Sequence, residues 1–484
     1  MSPVASDAAA GVSDRLAVSR GIAIASRKWA PIIAIALIAT LVRLAPLLRS
    51  NVDFSIYPDD SYEYLQTADG MRAGCGFARL IDGVCNPPEI LRTPGYPLFL
   101  ALINGSDLRR SLAVQAMLEG MLCLLAAAWV SRVWGFRAGI IAALLIALDI
   151  PSIVSSNKIM SETLFSLCLM LSVVPPLLVL SRGCADARAF AIIVASGLAL
   201  GFAVLVRPIG VFLPILETIP FLMMPGIPPS RRLGLAVAAF LVPALIVGGW
   251  CYRNYRVSGY AGLSTVGAIN LYYYRAADVL SFETGQPVMT VQKEMYRDLG
   301  VPFAKVFEAR VQSPELASRM NHLAKHILLA HPKTTMVMTL QSFLYLCLSP
   351  MRTPLARLIG TTGGSSELGL GAGPVSLGRI RRILSAVTQS PALTTLIVLQ
   401  IVWVVFIWFG VARALYRCRN SSREYLAWIV FPLIVAMMLL ALPAGAEANV
   451  RFRAVAIPLL AVVAALGYCV GPSAARQPDV TLQT

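Results

Sequence analysis

The chain has 484 residues, 57% of them hydrophobic and 14% charged, with a mean hydropathy of +0.71. Soluble domains carry about 25% charged residues, whereas apolar runs of about 20 residues, the length that crosses a bilayer as a helix, recur here. This excludes a soluble enzyme, a disordered regulator and a disulfide-framed secreted domain, and predicts an all-α polytopic membrane protein. The formal net charge of +16 is read as basic cytoplasmic loops. Nucleic-acid binding is not expected, because no basic stripe interleaved with aromatics lies outside the membrane ends. The basic residues are mostly arginine, with six lysines; with abundant alanine, this points to a GC-rich bacterial source.

Residues 1–28 are polar and small, and Arg15, Arg20, Arg27 and Lys28 precede the first apolar run. This tail is placed in the cytoplasm. The run at 29–48 is too long for the apolar core of a cleaved signal peptide and reads as a signal anchor and first span. Residues 49–110 form a large outer loop with short interfacial helices. As far as about residue 95 the loop holds Asp53, Asp59, Asp60, Glu63, Asp69, Asp82 and Glu89 against Arg72, Arg79 and Arg92. A helix connector needs no such length, so the loop has a task of its own. Spans two to seven occupy 111–251, at about 111–134, 137–154, 160–180, 189–206, 209–225 and 233–251. The Arg-bearing loops 181–188 and 225–232 then fall on the cytoplasmic side.

Residues 252–390 are expected to be an outer region, polar over 252–331, with a re-entrant or interfacial helix at 333–350 and a Gly/Ser-rich stretch at 361–378. The last three spans lie within 391–471, at about 391–412, 424–443 and 453–471, and 472–484 is a cytoplasmic tail. The turn with Arg413, Arg417, Arg419 and Arg423 is cytoplasmic, which gives about ten crossings, with eleven or twelve as the alternative. There is no obvious internal repeat and no inverted pair of interrupted helices of the transporter kind.

The first outer loop contains Tyr57-Pro58-Asp59-Asp60-Ser61-Tyr62-Glu63-Tyr64 and then Arg92-Thr93-Pro94-Gly95-Tyr96-Pro97. A carboxylate just past a membrane helix, with Tyr64 and Ala68 following at steps of four, lies on one face of a short helix. It suits a general base acting on a hydroxyl or amine, and equally a helix N-cap. Gly95 between two prolines reads as a rigid turn at the membrane surface. Arg92 in front of it suits a phosphate or a lipid headgroup. In Asn157-Lys158-Ile159-Met160-Ser161-Glu162, a Lys and a Glu this close to apolar helix starts are costly unless paired or used. The plainer reading is a local ion pair with Ser161 as a cap. Arg207-Pro208 closes the fifth span, and Trp250-Cys251-Tyr252-Arg253-Asn254-Tyr255 closes the seventh. Glu447, Arg451 and Arg453 open the last. Several cations thus converge on the outer face, where the positive-inside rule expects few, and an anionic ligand is the simplest reason.

Cys75 and Cys85 lie in the first outer loop, and a disulfide between them suits an oxidising compartment. The other seven cysteines lie in or beside spans and read as small core residues. His322 and His326 are four apart but lack a nearby acidic ligand, so no metal site is read there.

These residues together resemble the GT-C superfamily of integral-membrane glycosyltransferases. The branch they most resemble includes protein mannosyltransferases, the aminoarabinose transferase of lipid A and rhizobial lipid A galacturonosyltransferases. The matching pieces run in family order over nearly the whole chain. They are Pro58-Asp59-Asp60-Ser61 with Tyr64 and Ala68, Arg92-Thr93-Pro94-Gly95-Tyr96-Pro97, and Ser161-Glu162 with Leu164-Phe165. After these come Arg207-Pro208, Arg253-Asn254 with Gly259, Ser264, Gly267 and Asn270-Leu271, His331-Pro332, and Arg451-Phe452 before Pro458.

The resemblance implies a GT-C bundle and a polyprenyl-phosphate sugar donor. It places the site on the periplasmic face of a bacterial cytoplasmic membrane, with both termini cytoplasmic and a task in the cell envelope such as lipopolysaccharide modification. It makes Asp60 the catalytic base, with Asp59 the second candidate, and Arg92 the donor-phosphate residue. Glu162 is its second acidic residue, and Tyr64 and Tyr96 fall beside the site. Lys158, Arg207, Arg253 and Arg451 are phosphate contacts by position. The acceptor is a glycan, lipid A, another lipid or a protein side chain. Many relatives have a sizeable C-terminal soluble domain; none is expected after the last span here, and acceptor selection is then expected to come from 252–331 or from the membrane. Asp59 with Asp60 also suits a divalent cation, but arginines answer phosphate charge equally well, and no metal or cofactor is expected. The alternatives are a transporter or flippase of an anionic or lipid-linked substrate, and a ligase or polymerase using a diphosphate-linked glycan.

Overall fold

A computed structural model describes residues 29–48, 60–103, 107–222, 227–301, 313–349, 391–419, 421–445 and 451–469. Asp59, Glu447, the 361–378 stretch and both tails lie outside the described residues. Seven of the described helices are long and apolar enough to cross a membrane: Trp29–Leu48, Leu108–Trp134, Glu162–Arg182, Ala187–Val206, Pro229–Ser258, Thr394–Cys418 and Arg423–Ala441. Phe136–Ala147 and Ile150–Ser156 meet at a bend of 58° and make an eighth crossing if they are one broken span. The two other expected spans are the shorter apolar helices Pro208–Leu222 and Ile457–Cys469. Pro208, Pro214 and Pro220 explain the first of these. Each lacks an amide donor and crowds the preceding turn, so the stretch divides into Pro208–Phe212, Leu213–Leu216 and Ile219–Leu222.

Several helices begin on side-chain caps, which satisfy amides that have no intrahelical acceptor. Asp107 accepts from the Arg110 amide at 3.2 Å, Asp186 from Ala189 at 2.7 Å and Ser422 from Tyr425 at 3.2 Å. Ile457–Cys469 is buried almost all round and packs against Phe136–Ala147, Pro391–Cys418 and Arg423–Ala441. A helix apolar on every face belongs at such a centre. Ile33, Leu37 and Leu41, and likewise Val398, Val402 and Phe409, point outward as an apolar face of the kind that lipid covers.

Strand structure is confined, among the described residues, to one hairpin of Ala78–Ile81 (β1) and Val84–Pro88 (β2). The strands are antiparallel, with Leu80 opposite Cys85 and Ile81 opposite Val84. Asp82 and Gly83 turn the chain at φ 51° and 77°, the left-handed pair that a two-residue hairpin loop requires. A disulfide joins Cys75 to Cys85.

The stretch expected to be polar loop from 252 onward is largely helical where described. It contains a π-helical turn Asn270–Ala276 and helices Ala277–Thr284, Val288–Asp298 and Pro314–Ala330. These share a small core of Tyr272, Tyr273, Tyr296, Met320 and Ala324. The sequence expectation followed polarity alone; the amphipathic periods of these helices pack on one another. Pro332–Leu348, at the place expected to re-enter or lie at the interface, is one unbroken helix.

Candidate active site

Asp60 opens the Asp60–Arg72 helix, which turns Ser61, Glu63, Tyr64, Thr67 and Ala68 inward. Ser61 fixes the start of that helix by donating to the Ile159 carbonyl at 2.9 Å. Asp60 and Glu63, one turn apart, therefore present two carboxylates on one face. Arg92 meets both. Its Nε donates to Glu63 Oε2 at 2.6 Å, its Nη2 donates to Asp60 Oδ1, and its guanidinium lies 5.0 Å from the Tyr64 ring centroid. Burial alone would lower the Arg92 pKa; Glu63 and Asp60 outweigh it and hold the value well above that of an ordinary arginine.

Gly95 starts the Gly95–Leu102 helix instead of a free turn. A Cβ there would stand 2.7 Å from the main chain of Leu205 and Val206. Only glycine lets this helix approach the end of Ala187–Val206, which brings Arg207 to the site.

Two further arginines close the cluster. Arg451 Nη2 is 2.9 Å from Asp60 Oδ2 and its Nε is 3.7 Å from Glu162 Oε1. Arg207 Nη1 is 2.8 Å from Glu162 Oε1 and donates to Ser161 Oγ at 3.0 Å. Both guanidiniums lie over the Phe452 ring, Arg207 at 5.4 Å and Arg451 at 5.1 Å. The result is a row of alternating charge in the order Glu63, Arg92, Asp60, Arg451, Glu162, Arg207. Side-chain exposure divides the row: Asp60 keeps 16%, Arg451 17%, Arg207 13% and Arg92 11%, against 5% for Glu63 and 2% for Glu162. The aspartate and the arginines face outward, and the two glutamates hold the arginines from behind.

The plainer readings of two segments change here. Ser161 makes no side-chain cap; its hydroxyl accepts from Arg207. Glu162 pairs across the fold with Arg207 and Arg451, where a local pair with Lys158 was the simple expectation. Lys158 enters the site's frame through its carbonyl. Gln115 Nε2 donates to the Lys158 carbonyl at 2.8 Å and to Ser156 at 2.9 Å, while its Oε1 accepts from the Tyr96 hydroxyl at 2.6 Å. Tyr96 is fully buried against Tyr64, ring centroids 4.9 Å apart. Burial first, then Tyr64 and Glu162, push its pKa well above that of an ordinary tyrosine, so its hydroxyl serves as a fixed donor.

Arg253 stands apart from the row. It donates to the Glu89 carbonyl at 2.7 Å and the Phe77 carbonyl at 3.1 Å, and lies over the Phe77 and Trp250 rings. It grips the base of the hairpin. Sequence reasoning assigned no role to Glu63, Arg79 and Glu89, which form the support behind Arg92. Arg79 Nη1 is 3.6 Å from Glu63, Arg79 Nε donates to Glu89, and Glu89 Oε1 accepts from the amides of Leu91 at 2.6 Å and Arg92 at 3.4 Å. The available signal was the density of opposite charge from Glu63 to Arg92. Among the described residues no group of three or more His, Cys, Asp or Glu is arranged to hold a metal ion.

No family model matches the chain, and no curated protein matches it. Solved structures do. The oligosaccharyltransferase of Archaeoglobus fulgidus in the apo form is similar at 17% identity and a TM-score of 0.50, over 90% of this chain and 50% of that one. The same organism's oligosaccharyltransferase AglB, in complex with an inhibitory peptide and a dolichol-phosphate, gives 15% identity and a TM-score of 0.47, over 89% and 50%. ArnT from Cupriavidus metallidurans bound to undecaprenyl phosphate gives 15% and 0.39, over 90% and 76%. The chain shares the fold of the archaeal oligosaccharyltransferase, built here on several helices long and apolar enough to cross a membrane. The chain spans about half the length of the oligosaccharyltransferases it matches.

Proposed function

We propose that this chain is a membrane glycosyltransferase that moves a sugar from a polyprenyl-phosphate donor to an acceptor at the outer face of the bacterial cytoplasmic membrane. The observation that carries the reading is an accessible carboxylate, Asp60, held between Arg92 and Arg451, with Arg207 beside them. Guanidiniums fit phosphate oxygens as they fit carboxylates, so an arriving donor phosphate takes up Arg92 and Arg451 and frees the Asp60 oxygens. Asp60 then accepts the proton of the acceptor hydroxyl. The acceptor oxygen bonds to the anomeric carbon as the bond from that carbon to the phosphate oxygen breaks. Polyprenyl phosphate leaves as an anion whose charge the arginines stabilise. With one carboxylate acting as base and none as covalent nucleophile, the anomeric configuration inverts.

The GT-C fold, shared with an oligosaccharyltransferase, supports sugar transfer. The Cys75–Cys85 disulfide supports a periplasmic site. The acceptor is lipid A, a polysaccharide, another lipid or a protein.

The test separates binding from chemistry. Asp60→Asn loses at least about 10²-fold in transfer, as expected for removal of a general base, while undecaprenyl phosphate binds at least as tightly because a competing carboxylate is gone. Full transfer by the variant would overturn the assignment.

A further inference from the structure

Beneath the row lies a buried cation that the proposed reaction does not use. Arg453 is 1% exposed and sits two residues from Arg451 on the short Arg451–Ala454 helix. Its Nη1 donates to the carbonyls of Ser349 at 2.8 Å, Cys347 at 3.4 Å and Leu346 at 3.5 Å. These are the closing carbonyls of Pro332–Leu348, which lack intrahelical partners and carry the negative end of the helix dipole. Trp408 Nε1 donates to the same Cys347 carbonyl at 3.2 Å, so the anchor is itself fixed.

Arg453 also interacts electrostatically with the buried Asp149 carboxylate. Asp149 caps Ile150–Ser156 by accepting from the Ser152 amide at 2.8 Å. That helix leads to Ile159, whose carbonyl holds Ser61, and to Glu162. Asp60, through the Ser61 contact with Ile159, and Glu162 both adjoin the segment that follows the helix capped by Asp149. Apolar packing alone would not retain a fully buried guanidinium, because its desolvation is costly unless its geometry is used.

We infer that Arg453 is a positioning residue: it locks the Arg451–Ala454 segment onto the end of Pro332–Leu348, so that Arg451 projects between Asp60 and Glu162 to meet the donor phosphate. The inference rests on the phosphate role proposed for Arg451, and the experiment separates the two.

Undecaprenyl phosphate is titrated into the purified full chain by fluorescence or thermophoresis. Arg451→Gln is expected to weaken binding about ten- to hundredfold, the loss of a charge-assisted contact. Arg453→Met is expected to weaken it comparably, and the double variant to be within about twofold of the weaker single, because the two losses act through one contact. Arg453→Lys, which can still donate to the Ser349 carbonyl, should recover binding to within about threefold of the unsubstituted chain.

Binding unchanged in Arg453→Met, or losses that multiply in the double variant, would overturn the inference. Binding unchanged in Arg451→Gln would overturn the phosphate role itself, and the inference with it. If Arg453→Met does not fold, Arg453→Gln, which carries no charge and reaches less far, takes its place. A loss seen only when Arg451 is present supports the inference, and an equal loss in the Arg451→Gln background overturns it.

Discussion

Glu63 and Glu162 are the least accessible members of the charged row, yet they set where the accessible ones point. Glu63 holds Arg92 by Nε and leaves its Nη2 edge for Asp60. Glu63→Gln should keep the hydrogen-bonding shape but lose the charge pairing. Donor affinity is expected to fall about three- to tenfold, less than on loss of Arg92 itself, and equal affinity in a lipid-phosphate titration would remove Glu63 from the support. Tyr96 gives a pH signature. Its folded pKa lies above the unfolded value, so the folded state binds this proton more tightly. The stability from that proton is present below about pH 10, the unfolded tyrosine value, and is lost as pH rises through the higher folded one. Tyr96→Phe removes that alkaline component and leaves Gln115 Oε1 without its donor, at a cost of about 1–2 kcal/mol. Denaturation midpoints of the two forms between neutral and alkaline pH check this, and parallel pH profiles would contradict it.

The hairpin is the element that places Arg92. Arg79 on β1 braces Glu63, Glu89 after β2 caps the Arg92 turn, the disulfide ties Cys75, ahead of β1, to Cys85 on β2, and Arg253 grips the hairpin's base from Pro229–Ser258. Replacing both cysteines, Cys75→Ser with Cys85→Ser, removes a cross-link worth about 3 kcal/mol of chain entropy for a loop of this size. Hydrogen exchange over 75–92 should quicken and lipid-phosphate affinity fall, while the helices of the bundle stay protected. Unchanged exchange in the hairpin would show that Arg253 alone suffices. Part of this was legible in the sequence: the cysteine spacing marked the staple, and Pro-Gly-Tyr-Pro marked a special backbone position at Gly95, read as a turn and found as a helix start. The role of Arg253 was not. Its acceptors are main-chain carbonyls 164 and 176 positions away, which no local spacing reveals. A guanidinium that fits a phosphate fits a carbonyl pair as well. Glu162 was legible as a costly charge near a helix start, but its partners Arg207 and Arg451 come from distant helices.

For the whole molecule, apolar runs fixed the helices well, since in lipid each backbone donor must be met within the helix or by a neighbour. They hid the break at 148–149, because Asp149 sits inside an otherwise apolar stretch. The structure explains how the break is tolerated. Arg43, fully buried in Trp29–Leu48, donates to the freed carbonyls of Ala147 at 3.3 Å and Ile146 at 3.5 Å, and pairs with Glu119 at 3.6 Å. Gln400 accepts from the Ile150 amide at 3.3 Å. Arg43→Leu leaves Glu119 as a buried charge without its partner, and about 3–5 kcal/mol of stability is expected to go. The double variant Arg43→Leu/Glu119→Leu should recover part of it. Thermal unfolding in detergent measures both, and a double variant no better than the single would show that the carbonyl contacts matter more than the ion pair.

The reading of the row as a lipid-phosphate sugar transferase is tested most directly by turnover. The full chain, reconstituted in lipid, is presented with a panel of radiolabelled polyprenyl-phosphate sugars, beside Asp60→Asn. The expected result is sugar released or transferred from at least one donor by the unsubstituted chain and from none by the variant. No binding or turnover across the panel would contradict the reading and favour transport, or a diphosphate-linked donor; equal turnover by Asp60→Asn would remove Asp60 as the base.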